Sequence, residues 1–362
     1  MPSNSFNTDK IHRILVIKLS SIGDVIQSSP VADKLRKRYP NAIIDWIVET
    51  KSKDVIIGNS NLDEVIVWKR KEWVEELKKT WDYCLFFQRI ATIFKHLRQR
   101  NYDLAIDLQG LFRSALVAWL SGALWRVCYT DTGEFSPLFA NIKIQPNYER
   151  DIHVKYRYVG LLQFLGIDTT NLRMQMPLSS SDREFANNFL TQNSLTSKQY
   201  IVLNPATSWQ SKCWPADFYA HVGDLIISRL QLPIVILGAP NDQSLVKEIK
   251  DKMGKSAFDL AGQTTLKELA TVIEQAALFI GGDTGPLYIA EAIGTATVSI
   301  FGPTDPAKHA PIGSQHIALA AQNCKFCYKG FCADKRCMLE ITPEQVYDAV
   351  TQLLPNKYAN EK

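Results

Sequence analysis

The chain has 362 residues, with 41 Lys and Arg against 37 Asp and Glu, a formal net charge of +4. Apolar residues make up 46% and charged residues 22%. This composition excludes overall disorder and collagen-like or low-complexity chains, and the length predicts two domains. So mild a basic surplus permits an anionic substrate or membrane surface without demanding nucleic acid.

The polar start, residues 1–13, lacks an apolar signal core, and no apolar run reaches the roughly 20 residues that span a bilayer. A cytoplasmic protein without an integral membrane segment is expected. Ile14–Leu19 reads as a buried parallel strand, and Asp24–Arg38 as a helix stopped at Tyr39-Pro40. Ala42–Val48 and Tyr102–Leu108 are the next strands, and Phe112–Leu120 is a helix. A hinge is expected in Gly166–Ser181. Beyond it Ser181–Gln192, Pro215–Arg229, Leu266–Gln275 and Pro286–Ile293 read as helices, the last closed by Gly294. Tyr200–Leu203, Ile234–Leu237, Leu278–Ile280 and Thr297–Phe301 alternate with them as strands. This is βαβ alternation in both halves: an α/β protein with two Rossmann-like domains built on parallel sheets, whose ligands bind at the carboxyl ends of the strands.

Four strand-following loops carry unusual residues. Lys18–Asp24 places hydroxyls, a glycine and a carboxylate where strand meets helix; Asp24 there is either a helix cap or a general base. Its spacing is not G-x-G-x-x-G, which disfavours a nicotinamide oxidoreductase. Asp107–Ser114 offers a carboxylate, Gln109, a glycine and Arg113, either as a solvated turn or for a polyhydroxylated anionic ligand. Asn204–Pro215 brings Thr207, Ser208 and Lys212, which can meet phosphate oxygens. Gly281–Ala290 places two glycines, Asp283 and Thr284 before a helix N-terminus, where a cap and an anion site are compatible.

Taken together these segments resemble the lipopolysaccharide heptosyltransferases, glycosyltransferase family 9. The resemblance is carried by KLSSIGDVIQSSPV (18–31), IDWIVE (44–49), YDLAIDLQGLFRSA (102–115), NPATSWQSKCWP (204–215), GGDTGPLYIAEAIG (281–294) and FGPTDP (301–306). IDWIVE and DLQGLFRSA look most like heptosyltransferase I. The resemblance implies a GT-B fold of two facing Rossmann-like domains. Residues 1–175 would bind the acceptor and 176–340 the nucleotide sugar, with 341–362 a C-terminal helix packing back toward the N-terminal domain.

The implied reaction is an inverting transfer from ADP-heptose to the Kdo of the lipopolysaccharide inner core. Asp24 and Lys212 fall on its catalytic positions. Thr207, Ser208, Lys212, Asp242, Asp283, Thr284 and Gly285 fall on the donor side. Acceptor contacts are expected from Ser21, Gly23, Arg113, Gln109, Lys69 and Arg70. No cofactor is required beyond the donor itself. The acceptor, Kdo-lipid A, implies work at the cytoplasmic face of the inner membrane in outer-membrane biogenesis. Lys69-Arg70-Lys71 and Arg113, with the apolar side chains of Leu111–Leu120, would supply the docking surface.

The chain departs from the family in carrying Tyr288 where a histidine is usual and Cys213 where an arginine often follows the lysine. A heptose acceptor, as in heptosyltransferases II and III, and a non-catalytic nucleotide-sugar-binding protein are the competing readings; retention of Asp24 and Lys212 disfavours the latter. Cys324, Cys327, Cys332 and Cys337 have a spacing that either binds zinc or leaves reduced thiols. The family resemblance implies no metal.

Overall fold

The structure is a computed structural model that describes residues 6, 8–149, 152–322 and 325–354. It divides into two units, Met1–Pro177 and Leu178–Lys362. The boundary falls inside the Gly166–Ser181 stretch.

The first unit is a six-stranded sheet, β1 (Arg13–Ile17), β2 (Ile43–Glu49), β3 (Glu64–Trp68), β4 (Leu104–Asp107), β5 (Trp125–Tyr129) and β6 (Ile142–Ile144), in the order β3-β2-β1-β4-β5-β6. Every pairing is parallel. Ile14, Leu15, Val16 and Ile17 are all fully buried, as a central parallel strand covered on both faces requires. The helices are α1 (Ile22–Ser28), α2 (Pro30–Arg38), α3 (Arg70–Thr80), α4 (Tyr83–Gln99), α5 (Phe112–Leu120) and α6 (Val154–Gly160). The single helix expected over Asp24–Arg38 is two, because Pro30 has no N–H to continue the first and starts the second at its N1 position. Within Leu111–Leu120, Val117 is core while Phe112 and Trp119 are exposed, so that segment is only partly a surface.

The second unit repeats the plan. β7 (Ile201–Asn204), β8 (Ile234–Ile236), β9 (Phe258–Asp259), β10 (Leu278–Gly282), β11 (Ala296–Phe301) and β12 (His316–Ala320) form a parallel sheet in the order β12-β11-β10-β7-β8-β9. Its helices are α7 (Ser180–Gln192), α8 (Ala216–Leu230), α9 (Gln243–Lys252), α10 (Leu266–Gln275), α11 (Gly285–Ile293), α12 (Pro306–His309), α13 (Arg336–Leu339) and α14 (Pro343–Leu353). α14 buries Val346, Tyr347, Ala349 and Val350 in the second unit's own core, beside α8. Its apolar stripe at i, i+3 and i+4 finds there the surface it needs. Residues 355–362 of the expected C-terminal helix lie outside the described residues.

In each sheet the order reverses once, at β1/β4 and at β7/β10. Chains leaving the carboxyl ends of these pairs diverge to opposite faces and open a crevice. The four loops singled out in the sequence follow these four strands.

A buried pair tests the first core. Tyr102 Oη donates to Asp45 Oδ2 at 2.7 Å, and both residues are buried. Burial raises the Asp45 carboxyl, against the opposing Tyr102 hydroxyl and Arg100 charge. The stability contributed by this raised carboxyl is therefore lost as pH rises through its folded-state value. Tyr102→Phe should cost about 1–3 kcal/mol with Asp45 ionised and less as falling pH protonates Asp45; urea unfolding across a pH series measures both.

Candidate active site

In the first unit the site begins at the turn from β1 into α1. Asp24 lies one turn into α1 and accepts from the Ser21 N–H at 3.1 Å and the Ser21 hydroxyl at 3.0 Å. Its second oxygen accepts from Tyr158 Oη on α6 at 2.7 Å. Lys18 Nζ lies over the Tyr158 ring, 4.5 Å from its centre. Burial alone would raise the Asp24 carboxyl. The Lys18 charge and the Tyr158 and Ser21 donors overcome it and hold the group below the ordinary carboxylate value. Burial pulls the Lys18 ammonium down against the Asp24 and Asp107 carboxylates. The Tyr158 hydroxyl is pushed well up, by burial and then by Asp24, so it stays a donor.

Lys18 and Tyr158 also line a cavity of about 240 Å³ together with Asp107, Gln109, Thr132 and Arg157. Gly110 closes its edge with φ +67°, and a Cβ there would lie 2.4 Å from Thr132 Cγ2, so only glycine fits. Gln109 turns inward: its Oε1 accepts from the Leu19 and Ser20 N–H groups at 3.2 Å and braces the β1–α1 loop. Gly23 is buried and Ser21 exposed.

Beside this loop, Glu49 at the end of β2 is buried and gathers three cations. Arg70 Nε donates to it at 3.2 Å, Lys71 Nζ lies at 3.4 Å and Arg113 at 3.7 Å. Arg113 also donates to Ser20 Oγ at 3.2 Å. One carboxylate against three cations leaves a positive cradle next to Asp24. Lys69 caps α3 from an exposed position and is not among these contacts. Glu49, Tyr158, Lys18 and Arg157 were not singled out in the sequence. Two of them left a signal: Lys18 opens the first loop motif, and Glu49 is a charged residue ending a mostly apolar strand.

In the second unit the loops after β7 and β10 meet. Lys212 Nζ donates to Asp283 Oδ2 at 2.6 Å and lies 4.4 Å from the centre of the Trp209 ring. Asp283 also accepts from Thr304 Oγ1 at 2.8 Å and from the Tyr288 hydroxyl on α11. Against burial, the Lys212 charge and these donors hold Asp283 below the ordinary carboxylate value. Tyr288, the departure from the family's histidine, thus supplies a hydrogen bond to Asp283. Gly282 lets the two loops touch: a Cβ there would lie 2.9 Å from Thr207 Cγ2.

Thr207 Oγ1 donates to the Trp209 carbonyl at 2.8 Å and shapes the loop; Ser208 is exposed. Thr284 is the N-cap residue of α11 and Gly285 its first residue; Pro286 has no N–H and the Leu287 N–H donates to the Thr284 carbonyl at 3.1 Å, so the Gly285 N–H is the first-turn donor without a helical partner. Asp242 follows β8 and accepts from the Ala239 N–H at 2.8 Å, capping its own short turn.

A family model described as glycosyltransferase family 9 (heptosyltransferase) matches residues 90–337. The chain belongs to glycosyltransferase family 9. It is a glycosyltransferase, and its two-unit α/β fold is the one found in solved family members. The lipopolysaccharide heptosyltransferase 1 of Escherichia coli K12 is 25% identical over 270 residues, 72% of this chain and 78% of that protein. The crystal structure of a glycosyl transferase family 9 protein from Veillonella parvula is similar with a TM-score of 0.82 at 25% identity, covering 95% of this chain and 98% of that one. The E. coli heptosyltransferase WaaC with ADP-2-deoxy-2-fluoro heptose has a TM-score of 0.72 at 21% identity, covering 94% of this chain and 99% of that one.

Among the described residues no group of three His, Cys, Asp or Glu side chains is placed to hold a metal ion. Cys327 is exposed, Cys332 half-buried and Cys337 buried, and Cys324 lies outside the described residues. Among the described residues no helix is long and apolar enough to cross a membrane.

The Lys212–Asp283 pair is 11% and 8% exposed. Lys212→Ala leaves a buried carboxylate without its cation, a loss of about 3–5 kcal/mol where nothing else compensates. Thr304 and Tyr288 remain, so the loss should sit at the lower end. Lys212→Ala should lower the melting temperature, and adding Asp283→Asn should recover part of it; calorimetry on the three proteins decides.

Proposed function

We propose that this glycosyltransferase moves heptose from ADP-heptose to the Kdo of the lipopolysaccharide inner core, as a heptosyltransferase I-like enzyme. The observation that carries the reading is Asp24: an ionised carboxylate at a switch-point loop, wired to Lys18 and Tyr158, beside a cavity and a three-cation cradle. The cradle suits an acceptor sugar that bears a carboxylate, as Kdo does. Similarity to a heptosyltransferase 1 and to the fold of WaaC supports the same reading.

In this reading Asp24 takes the proton from an acceptor hydroxyl as its oxygen attacks the anomeric carbon. Attack comes from the face opposite ADP, so the configuration inverts. The bond from the anomeric carbon to the phosphate oxygen breaks, and negative charge collects on the ADP diphosphate. Lys212 and the Gly285 N–H at the start of α11 meet that charge. Thr207, Ser208 and Thr284 border the same diphosphate, Asp242 approaches the ribose, and Asp283 both holds Lys212 and faces the heptose. Arg70 and Arg113 hold the acceptor, with Lys69 at the rim and Ser21, Gly23 and Gln109 shaping the loop beneath it. Residues 1–175 thus serve the acceptor and 176–340 the donor. The enzyme works at the cytoplasmic face of the inner membrane.

The direct test is incubation with ADP-heptose and defined acceptors, followed by mass spectrometry of the products. Addition of one heptose to Kdo2-lipid A is expected. Addition only to an acceptor already carrying heptose overturns the assignment of acceptor, and no transfer to any of them overturns the reaction.

A variant series tests the base. Asp24→Asn should lose about 10²–10⁴-fold in kcat with ADP-heptose affinity unchanged. Tyr158→Phe removes a donor that lowers the Asp24 pKa, so the acid limb of kcat/KM should move to higher pH while the neutral plateau falls less. An unmoved acid limb would assign Tyr158 to packing alone.

A further inference from the structure

One stretch of the first unit is built unlike the rest of its surface. α3 and α4 form a helical hairpin joined at Trp81 and Asp82. Among the described residues, α3 buries none of its side chains and α4 buries Leu97 alone. Trp73 near the start of α3 and Ile93, Phe94 and Leu97 near the end of α4 pack on the sheet core, so the hairpin is anchored at its base. Phe87 lies seven residues from Phe94, about 10 Å farther along the helix. At this outer end Trp81, Tyr83 and Phe87 are 71%, 52% and 63% exposed.

Charge separates the candidate occupants of this tip. From Lys69 to Arg100 there are nine Lys and Arg against four Asp and Glu, a surplus of five, where the whole chain has a surplus of four. Lys78 and Lys79, next to the aromatic tip, are exposed. Glu76 is engaged by Arg89 across the hairpin, and Arg100 by Glu64 at its base; Glu72, Glu75 and Asp82 are exposed too, and the basic residues outnumber them. Exposed Trp81, Tyr83 and Phe87 beside Lys78 and Lys79, on a hairpin of net positive charge, match the interface of an anionic bilayer: the rings seat among headgroups and the ammonium groups meet lipid phosphates. α5 packs beside the base of α4, with Arg98 Nε donating to the Leu120 carbonyl at 3.0 Å.

We propose that the tip of the α3–α4 hairpin, Lys78 to Phe87, docks this enzyme reversibly on an anionic lipid bilayer. The surface is therefore centred on the hairpin and not on Leu111–Leu120. The inference deepens the proposed function, since a lipid-anchored acceptor is met at a bilayer. The contact itself involves neither donor nor acceptor.

The test uses the full chain and vesicles of phosphatidylglycerol with phosphatidylethanolamine, or of phosphatidylcholine alone, with neither substrate present. Sedimentation should show binding to the anionic vesicles at low salt, release at high salt and weak binding to the neutral ones. Trp81→Ser with Phe87→Ser, and separately Lys78→Glu with Lys79→Glu, should each weaken binding on the order of tenfold or more. Both variants should retain wild-type transfer to a water-soluble acceptor fragment. Should the serine pair fail to fold, the lysine pair decides, because it changes only exposed charge. Binding that is unchanged in the lysine pair, or equal on neutral vesicles, overturns the proposal. So does a wild-type dimer in sedimentation equilibrium that the same variants dissolve without any vesicle binding. If the wild type transfers heptose to no acceptor yet binds vesicles as described, the acceptor reading fails and the docking surface stands.

Discussion

All strands of a parallel sheet deliver their carboxyl ends to one edge, and in each unit the strand order reverses at a single place along that edge. This constraint organises the rest of the molecule. At β1/β4 and β7/β10 successive connections leave toward opposite faces, and the crevice between them is the position where a polar ligand meets backbone without breaking the core. The loops Lys18–Asp24 and Leu108–Arg113 occupy one crevice. The loop that carries Lys212 and the turn at Asp283 occupy the other. Nearly buried charges are tolerable at these points because the strand ends supply a partner for each.

The two crevices solve the same electrostatic problem with different outcomes. Each holds a carboxylate against a lysine from the first strand's loop and a tyrosine from a helix: Asp24 with Lys18 and Tyr158, Asp283 with Lys212 and Tyr288. Asp283 is contacted directly by its lysine, by Thr304 and by Tyr288, which ties the two loops together. Lys18 instead lies over the Tyr158 ring and acts on Asp24 through space. That arrangement keeps the Asp24 carboxylate ionised with no ammonium on its oxygens, which accept from Ser21 and Tyr158 instead.

Glu49 shows how a buried anion can organise a basic surface. A cluster formed by Arg70, Lys71 and Arg113 alone would repel itself. One buried carboxylate among them fixes their geometry and still leaves the cradle positive. The hairpin that follows carries its own surplus of lysine and exposed aromatic surface. The first unit therefore carries a positive cradle around Glu49 and, on a separate element, exposed aromatic side chains beside lysines.

Alternating apolar runs and amphipathic segments made the βαβ plan, the two units and the boundary near Pro177 legible in the sequence, because burial on both faces of a parallel sheet demands nearly continuous apolar strands. The four loops that hold these charge clusters were legible too, since glycines, hydroxyls and charges directly after buried strands stand out against the apolar runs that precede them. The helix break at Pro30 follows from local chemistry and was missed only because one apolar stripe runs through it. What tertiary structure alone decided is which groups meet. Tyr158 is 134 residues from Asp24 in sequence, and Thr304 and Tyr288 converge on Asp283 from a separate loop and helix. Gln109 turned inward to brace backbone, and α14 chose the second unit's core. The sequence's periodicity records which face of an element is buried. It does not record which other element will cover that face, and that pairing sets every distance on which the charges depend.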